Sequence, residues 1–206
     1  MNTEVLISFT IATSTLALSP GPDNIFVLIQ SITYGKKQGM AIVCGLISGC
    51  IIPTTLVAFG LSTFIKSNSE LLFVLKLFGA GYMLFLAYNV FKSVDVINTN
   101  TQTESKSLLA LFKQGFIMNV INPKVSIFFM AFFPAFLFSE TNSLVIQFYA
   151  LGFLFMTTSF LIFSMLVFFS SSVGSVLRSN KRFGAVLKWA QIIVFLGIAI
   201  FIIATN

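Results

Sequence analysis

Leu18-Ser19-Pro20-Gly21-Pro22-Asp23-Asn24 lies inside an apolar run from Val5 to Ile29. A bilayer-crossing helix needs about 20 apolar residues, so the run is long enough to span. Each proline removes a backbone N–H and collides with the preceding turn, so the helix must break or kink near Pro20–Pro22. In hydrocarbon the freed carbonyls need partners, and such a break survives only where protein or a water-filled cavity covers it. Asp23 adds an ionisable group at depth, which usually marks a pathway or a site. The plainer alternative is a packing kink with a protonated, hydrogen-bonded Asp23.

The rest of the chain has the same character. Of its 206 residues 57% are hydrophobic and 9% charged, with a mean hydropathy of +0.98. Soluble domains carry about 25% charged residues. The expected class is an all-α polytopic membrane protein with little chain left for a soluble domain. The first apolar run is too long for a cleavable signal and lacks a basic leader, Glu4 being its only preceding charge. The net charge of +6 sits in short loops and gives no nucleic-acid face. With no histidine and scattered carboxylates, neither a metal site nor a cofactor is expected. Cys44 and Cys50 are six residues apart in one helix, which separates them by about 9 Å of rise and about 120°. They cannot form a disulfide with each other.

Six crossing segments follow in order: about Glu4–Ser31, Met40–Ile65, Leu71–Phe91, Leu108–Phe138, Ser143–Phe169 and Leu187–Ala204. The second contains Pro53, and its Ala41, Gly45 and Gly49 place small residues on one face for close helix packing. The fourth is interrupted by Asn119 and Asn122-Pro123-Lys124. Tyr34–Lys37 is expected to be a loop, as is the basic stretch with Arg178, Lys181 and Arg182. Nine of the twelve Lys and Arg residues fall in the loops after segments one, three and five. Counted by the positive-inside rule, those loops are cytoplasmic and both termini lie outside.

A shift of 103 residues places Ser19-Pro20 on Asn122-Pro123, Gly49 on Gly152, and Thr54-Thr55 on Thr157-Thr158. Residues 1–93 and 108–206 are therefore expected to be two three-helix repeats of opposite orientation, joined by a polar cytoplasmic loop at 94–107. Interrupted helices at matching places in inverted halves point to a transporter's binding site. The expected helix breaks are Pro20, Gly21, Pro22 and Pro123.

Several of these blocks also resemble a known family. Ser19-Pro20-Gly21-Pro22-Asp23-Asn24 is similar to the signature of the lysine-exporter (LysE/RhtB) family. Phe112, Gly115, Asn119, Asn122-Pro123-Lys124, Phe128-Phe129 and Pro134 resemble its second block, and Leu75-Lys76, Gly79, Gly81 and Tyr82 its third-helix pattern. The resemblance implies a six-helix exporter of amino acids or close derivatives in a bacterial inner membrane, driven by protons.

The residues themselves suggest how a zwitterion would be held. Half-helices starting at Pro22 and Pro123 aim N–H donors and partial positive charge at the break. A substrate carboxylate suits such an N-terminus and Lys124; an ammonium suits Asp23 or Asn24. Asn119 and Asn122 are neutral polar partners, and Thr54, Thr55, Thr157 and Thr158 are second-rank candidates, since Ser and Thr in membrane helices often bond back to their own helix. Asp23 is the expected proton-coupling group, because ammonium and proton would compete for one carboxylate. A permanent Asp23–Lys124 ion pair locking the halves together is the structural alternative. Phe128, Phe129, Phe132 and Phe133 flank the region and favour a neutral or hydrophobic substrate. Small-residue faces are compatible with a homodimer. Two other functions remain open at this point: a thiol–disulfide electron carrier, which would need a reactive cysteine in each half, and a membrane scaffold.

Overall fold

A computed structural model describes residues 3–18, 21–62, 69–92, 106–139, 141–170 and 181–204. Ser19, Pro20, Arg178 and most of the 94–107 stretch lie outside the described residues. Every regular element among the described residues is helical.

Helix α1 (Thr3–Leu18) and helix α2 (Pro22–Tyr34) meet at 60°. Gly21 is the extended N-cap of α2, and Pro22 takes its first helical position, where a missing N–H costs nothing. Asn24 turns back and donates its side-chain amide to the Ala17 carbonyl at 2.8 Å, which satisfies an acceptor that the last turn of α1 cannot use itself.

The expected Tyr34–Lys37 loop shrinks to one residue. Gly35 alone, at φ +101°, reverses the chain, and Lys36 and Lys37 already belong to α3 (Lys36–Gly49). Only glycine adopts that backbone freely. Cys50 interrupts the helix and α4 (Ile51–Leu56) continues it, followed by a π-helical turn at Val57–Leu61. Pro53 has no N–H to return to the Gly49 carbonyl, which accounts for the interruption at Cys50. Together Lys36–Leu61 makes a 26-residue apolar rod, long enough to cross a membrane.

Helix α5 covers Ser69–Lys92. Helix α6 (Leu108–Val120) starts where the Ser107 hydroxyl accepts from Ala110 N. Asn122 caps α7 (Pro123–Phe132), which tightens into a 3₁₀ turn at Phe133–Phe136. Helix α8 (Leu144–Phe168) is a second rod long and apolar enough to span, and α1 with α2 makes a third if the bent pair is one crossing. Helix α9 runs from Lys181 to Ala204. The basic stretch was expected to be loop, yet Lys181 and Arg182 open this helix; charge reports the side of the membrane, not local backbone shape.

The turn from α7 into α8 is organised by one side chain. Gln147, fully buried, accepts from the Phe138 and Ser139 amides at 2.9 and 3.0 Å. Its own amide donates to the Ser139 and Asn142 carbonyls at 2.8 and 3.1 Å.

Helix α3 packs most closely on α6, through the small-residue face read from the sequence. A Cβ added at Gly45 would fall on the Phe112 carbonyl oxygen, and one at Gly115 on that of Ile42, so the two backbones touch directly. Helix α5 packs on α9, α1 on α8, and α2 on α3. Outward side chains such as Ile11, Phe153 and Ile200 are apolar and exposed, as a lipid-facing surface requires.

Buried side chains form two separate apolar cores. The smaller joins Val27 of α2, Ile42, Val43 and Leu46 of α3, Leu111 of α6, and Phe163 and Val167 of α8. The larger joins α1, the π turn, α5, α7, α9 and the first part of α8. Its centre is a run of rings on α7: Phe128 stacks on Phe132 at 4.4 Å and Phe129 on Phe133 at 4.2 Å.

Candidate substrate site

A cavity of about 40 Å³ opens where the two cores meet. Its polar wall holds Asp23, Asn24, Asn119, Lys124 and Ser159. Its apolar wall draws Leu46 and Phe163 from the smaller core and Leu16, Val125 and Phe155 from the larger. The polar residues arrive from four helices, and each does so for a local reason.

Asp23 and Lys124 both occupy the second position of a proline-started helix, α2 and α7. Between them stands Asn122. Its Oδ1 accepts from Lys124 N at 3.0 Å and so caps α7. Its Nδ2 donates to Asp23 Oδ2 at 2.8 Å. One amide therefore begins one half-helix and holds the carboxylate of the other. The Lys124 ammonium lies 5.2 Å from the Phe195 ring centroid, a cation–π distance. Asp23 is hydrogen-bonded to Asn122, while Lys124 faces an aromatic ring and attracts Asp23 electrostatically.

Asn24 lines the cavity while holding the end of α1. Asn119 is buried beside the Cys50 thiol, and its Oδ1 has no hydrogen-bond partner. The threonines sit elsewhere. Thr54 is buried, donates to the Cys50 carbonyl at 2.7 Å, and lies against Gly152. Thr55 pairs with the Tyr149 hydroxyl at 3.1 Å. Thr157 donates to the Phe153 carbonyl at 2.9 Å, and Thr158 is buried off the cavity wall. The aromatic walls are Phe155 and Phe163; the α7 phenylalanines are packed inside the larger core and do not line the cavity. Ser159, which sequence reasoning passed over, does line it, and its only sequence signal is a hydroxyl next to Thr157-Thr158 in an apolar run.

A water needs about 10–15 Å³ of such space, so the cavity has room for about three.

The family model of the LysE type translocators matches residues 14–205. The chain belongs to this family. It is a multi-pass membrane transporter and not an enzyme. Among its LysE-family relatives, a homoserine/homoserine lactone efflux protein of Salmonella typhimurium is 30% identical over 152 residues, 74% of this chain and 73% of its own length. A leucine efflux protein of Salmonella choleraesuis is 28% identical over 185 residues, 89% of this chain and 87% of its own length. No solved structure matches the chain.

Proposed function

We propose that this LysE-family amino-acid efflux transporter exports a neutral amino acid or close derivative, which it binds at the cavity between α1–α2 and α6–α7. The observation that carries the reading is the meeting of Asp23, Asn122 and Lys124 at the starts of two half-helices beside a partly apolar cavity. A zwitterion needs an anion site and a cation site a few ångströms apart. The N-terminal donors of α2 and α7 with Lys124 provide the first, and Asp23 with Asn24 the second. The apolar walls favour an uncharged side chain. The relatives named for leucine and homoserine efflux agree with that class.

The membrane architecture in this proposal is six crossings in two inverted halves, α1–α2, α3–α4 and α5 against α6–α7, α8 and α9, in a bacterial inner membrane with both termini outside. Its support is the exchange of partners: α3 packs on α6 while α8 packs on α1, and α5 pairs with α9. Those are the contacts that a two-fold relation between halves generates. Asp23 serves as the proton-coupling carboxylate, and a homodimer is compatible with the exposed small-residue positions Gly81 and Gly197.

The test is transport of a panel of amino acids by purified protein in proteoliposomes, with and without a proton gradient. We expect efflux of neutral amino acids that collapses in Asp23→Asn and in Lys124→Gln at normal protein levels. Absence of transport for the whole panel would overturn the function, and full efflux in either variant would remove that residue from the mechanism. A reporter active only outside the cytoplasm, fused at Asn206, tests the orientation and must be active there.

A further inference from the structure

A lysine ammonium is a compact point charge on a flexible four-carbon stem, so it recognises an anion well only when something else fixes its position. Lys124 stands on the cavity wall at the second position of α7, and its ammonium lies 5.2 Å from the centroid of the Phe195 ring on α9. Two other lysines face rings in the same way, Lys36 over Phe168 at 5.5 Å and Lys92 over Tyr88 at 5.1 Å. Those two ring residues are each 55% exposed, whereas Phe195 is 1% exposed. Desolvation strengthens the attraction between a cation and a ring face roughly twofold or more. The Phe195 contact is therefore the strongest of the three.

The ring is also fixed in place. Phe195 belongs to the buried stripe Ile192, Phe195, Ile198, Ala199 and Ile202, which α9 turns into the larger core. Among the described residues α9 supplies no side chain to the cavity wall, so Phe195 reaches the site only through Lys124. A ring face attracts a cation through its quadrupole, which carries no net charge and so cancels none of the cation's. The ammonium can therefore take a carboxylate from the cavity side while the ring stays behind it.

We propose that Phe195 is the positioning residue for Lys124: its buried ring face seats the ammonium at the cavity wall in advance, so that the carboxylate of an incoming amino acid meets a fixed cation. Phe195 touches no substrate. Through it α9, a helix off the cavity wall, sets substrate affinity and leaves the maximal rate of transport alone. This inference rests on the proposed amino-acid site.

The test replaces Phe195 in the full-length protein with mono-, di- and trifluorinated phenylalanine. Each fluorine weakens the negative ring face while hardly altering ring shape. Transport of leucine and of homoserine is measured in proteoliposomes. KM is expected to rise stepwise with fluorine number, to roughly tenfold for the trifluorinated ring, with the maximal rate unchanged. Phe195→Leu, which keeps an apolar side chain but has no ring, is expected to raise KM at least as far. Trifluorination of Phe9, a buried ring packed edge-on against Phe133 and Phe136, is expected to leave KM unchanged. A second readout needs no transport. Trifluorination of Phe195 is expected to lower the melting temperature in detergent by about 2–4 °C, and to have no such effect in a Lys124→Met background. A KM that ignores the fluorine series, or the same melting shift in both backgrounds, would overturn the role of Phe195 and leave the amino-acid site standing. No transport of either amino acid by wild type, whatever the melting result, would overturn the amino-acid site and this inference with it.

Discussion

Asn122 and Asp23 lie 99 positions apart in the chain and 2.8 Å apart in space, amide to carboxylate. The same Asn122 caps α7, so a single substitution disturbs two things. Serine separates them, because it caps a helix about as well as asparagine but is too short to span to Asp23. We expect Asn122→Ala to lose about 1 kcal/mol of stability from the cap and most of its transport. Asn122→Ser is expected to recover the melting temperature in detergent without recovering transport. Normal transport in Asn122→Ser would show that the Asp23 contact is dispensable.

The α3–α6 contact predicts a sharp contrast among glycines. Gly45→Ala and Gly115→Ala each drive a methyl onto a partner backbone carbonyl, which cannot rotate away. Overpacking of this kind costs typically about 1–3 kcal/mol, and contact with fixed backbone belongs at the top of that range. Gly81 and Gly197 face open space, and alanine there gains helix propensity of up to about 1 kcal/mol. Thermal melting and monodisperse yield in detergent should fall for the first pair and hold or rise for the second.

Gln147 predicts a stability defect away from the cavity. Gln147→Ala strands two amides and two carbonyls of the α7–α8 turn, at about 1–3 kcal/mol for each one that water cannot reach. Gln147→Glu retains both acceptor contacts but, when ionised, loses both donor contacts. The expected order of melting temperatures is wild type, then Gln147→Glu, then Gln147→Ala. Limited proteolysis within residues 137–143 should accelerate in the same order. Equal melting of all three proteins would show that the turn is held by something else.

Thr157 is predicted to be silent. Its hydroxyl bonds within its own helix and its side chain is exposed, so Thr157→Val should change stability by less than about 0.5 kcal/mol and leave transport unchanged in proteoliposomes. A transport defect at normal melting temperature would return this threonine to the substrate path.

How much of this was legible in the sequence depends on how local the cause is. Proline and glycine act on their own backbone, so the ends of α1, α2, α6 and α7 could be placed near Pro22 and Pro123 from the letters alone. Loop lengths could not, because nothing near Tyr34 announces that Gly35 makes the turn unaided. The same holds in the candidate site. Asp23, Asn24, Asn119 and Lys124 stood out as polar groups in apolar runs, and all four line the cavity. On α8 the choice of face was beyond sequence reasoning. Thr157 and Ser159 are about 200° apart around the helix axis, and only the packing of α8 against its neighbours decides that Ser159 turns inward. The aromatic wall was likewise expected from Phe128, Phe129, Phe132 and Phe133, whose rings pack on one another inside the larger core while Phe155 and Phe163 line the cavity.

The seam between the two cores has a mechanical consequence. Helix α2 is tied to α3 by one residue, and α3 is pressed backbone to backbone on α6, so none of the three has slack to travel alone. Two rods belong to both sides: α8, with Phe148 and Leu151 in one core and Phe163 and Val167 in the other, and Lys36–Leu61, with Ile42 and Leu46 in one and Val57 and Leu61 in the other. The Asn122–Asp23 amide ties α2, on the smaller core, to the start of α7, on the larger, so any parting of the two cores there has to break it.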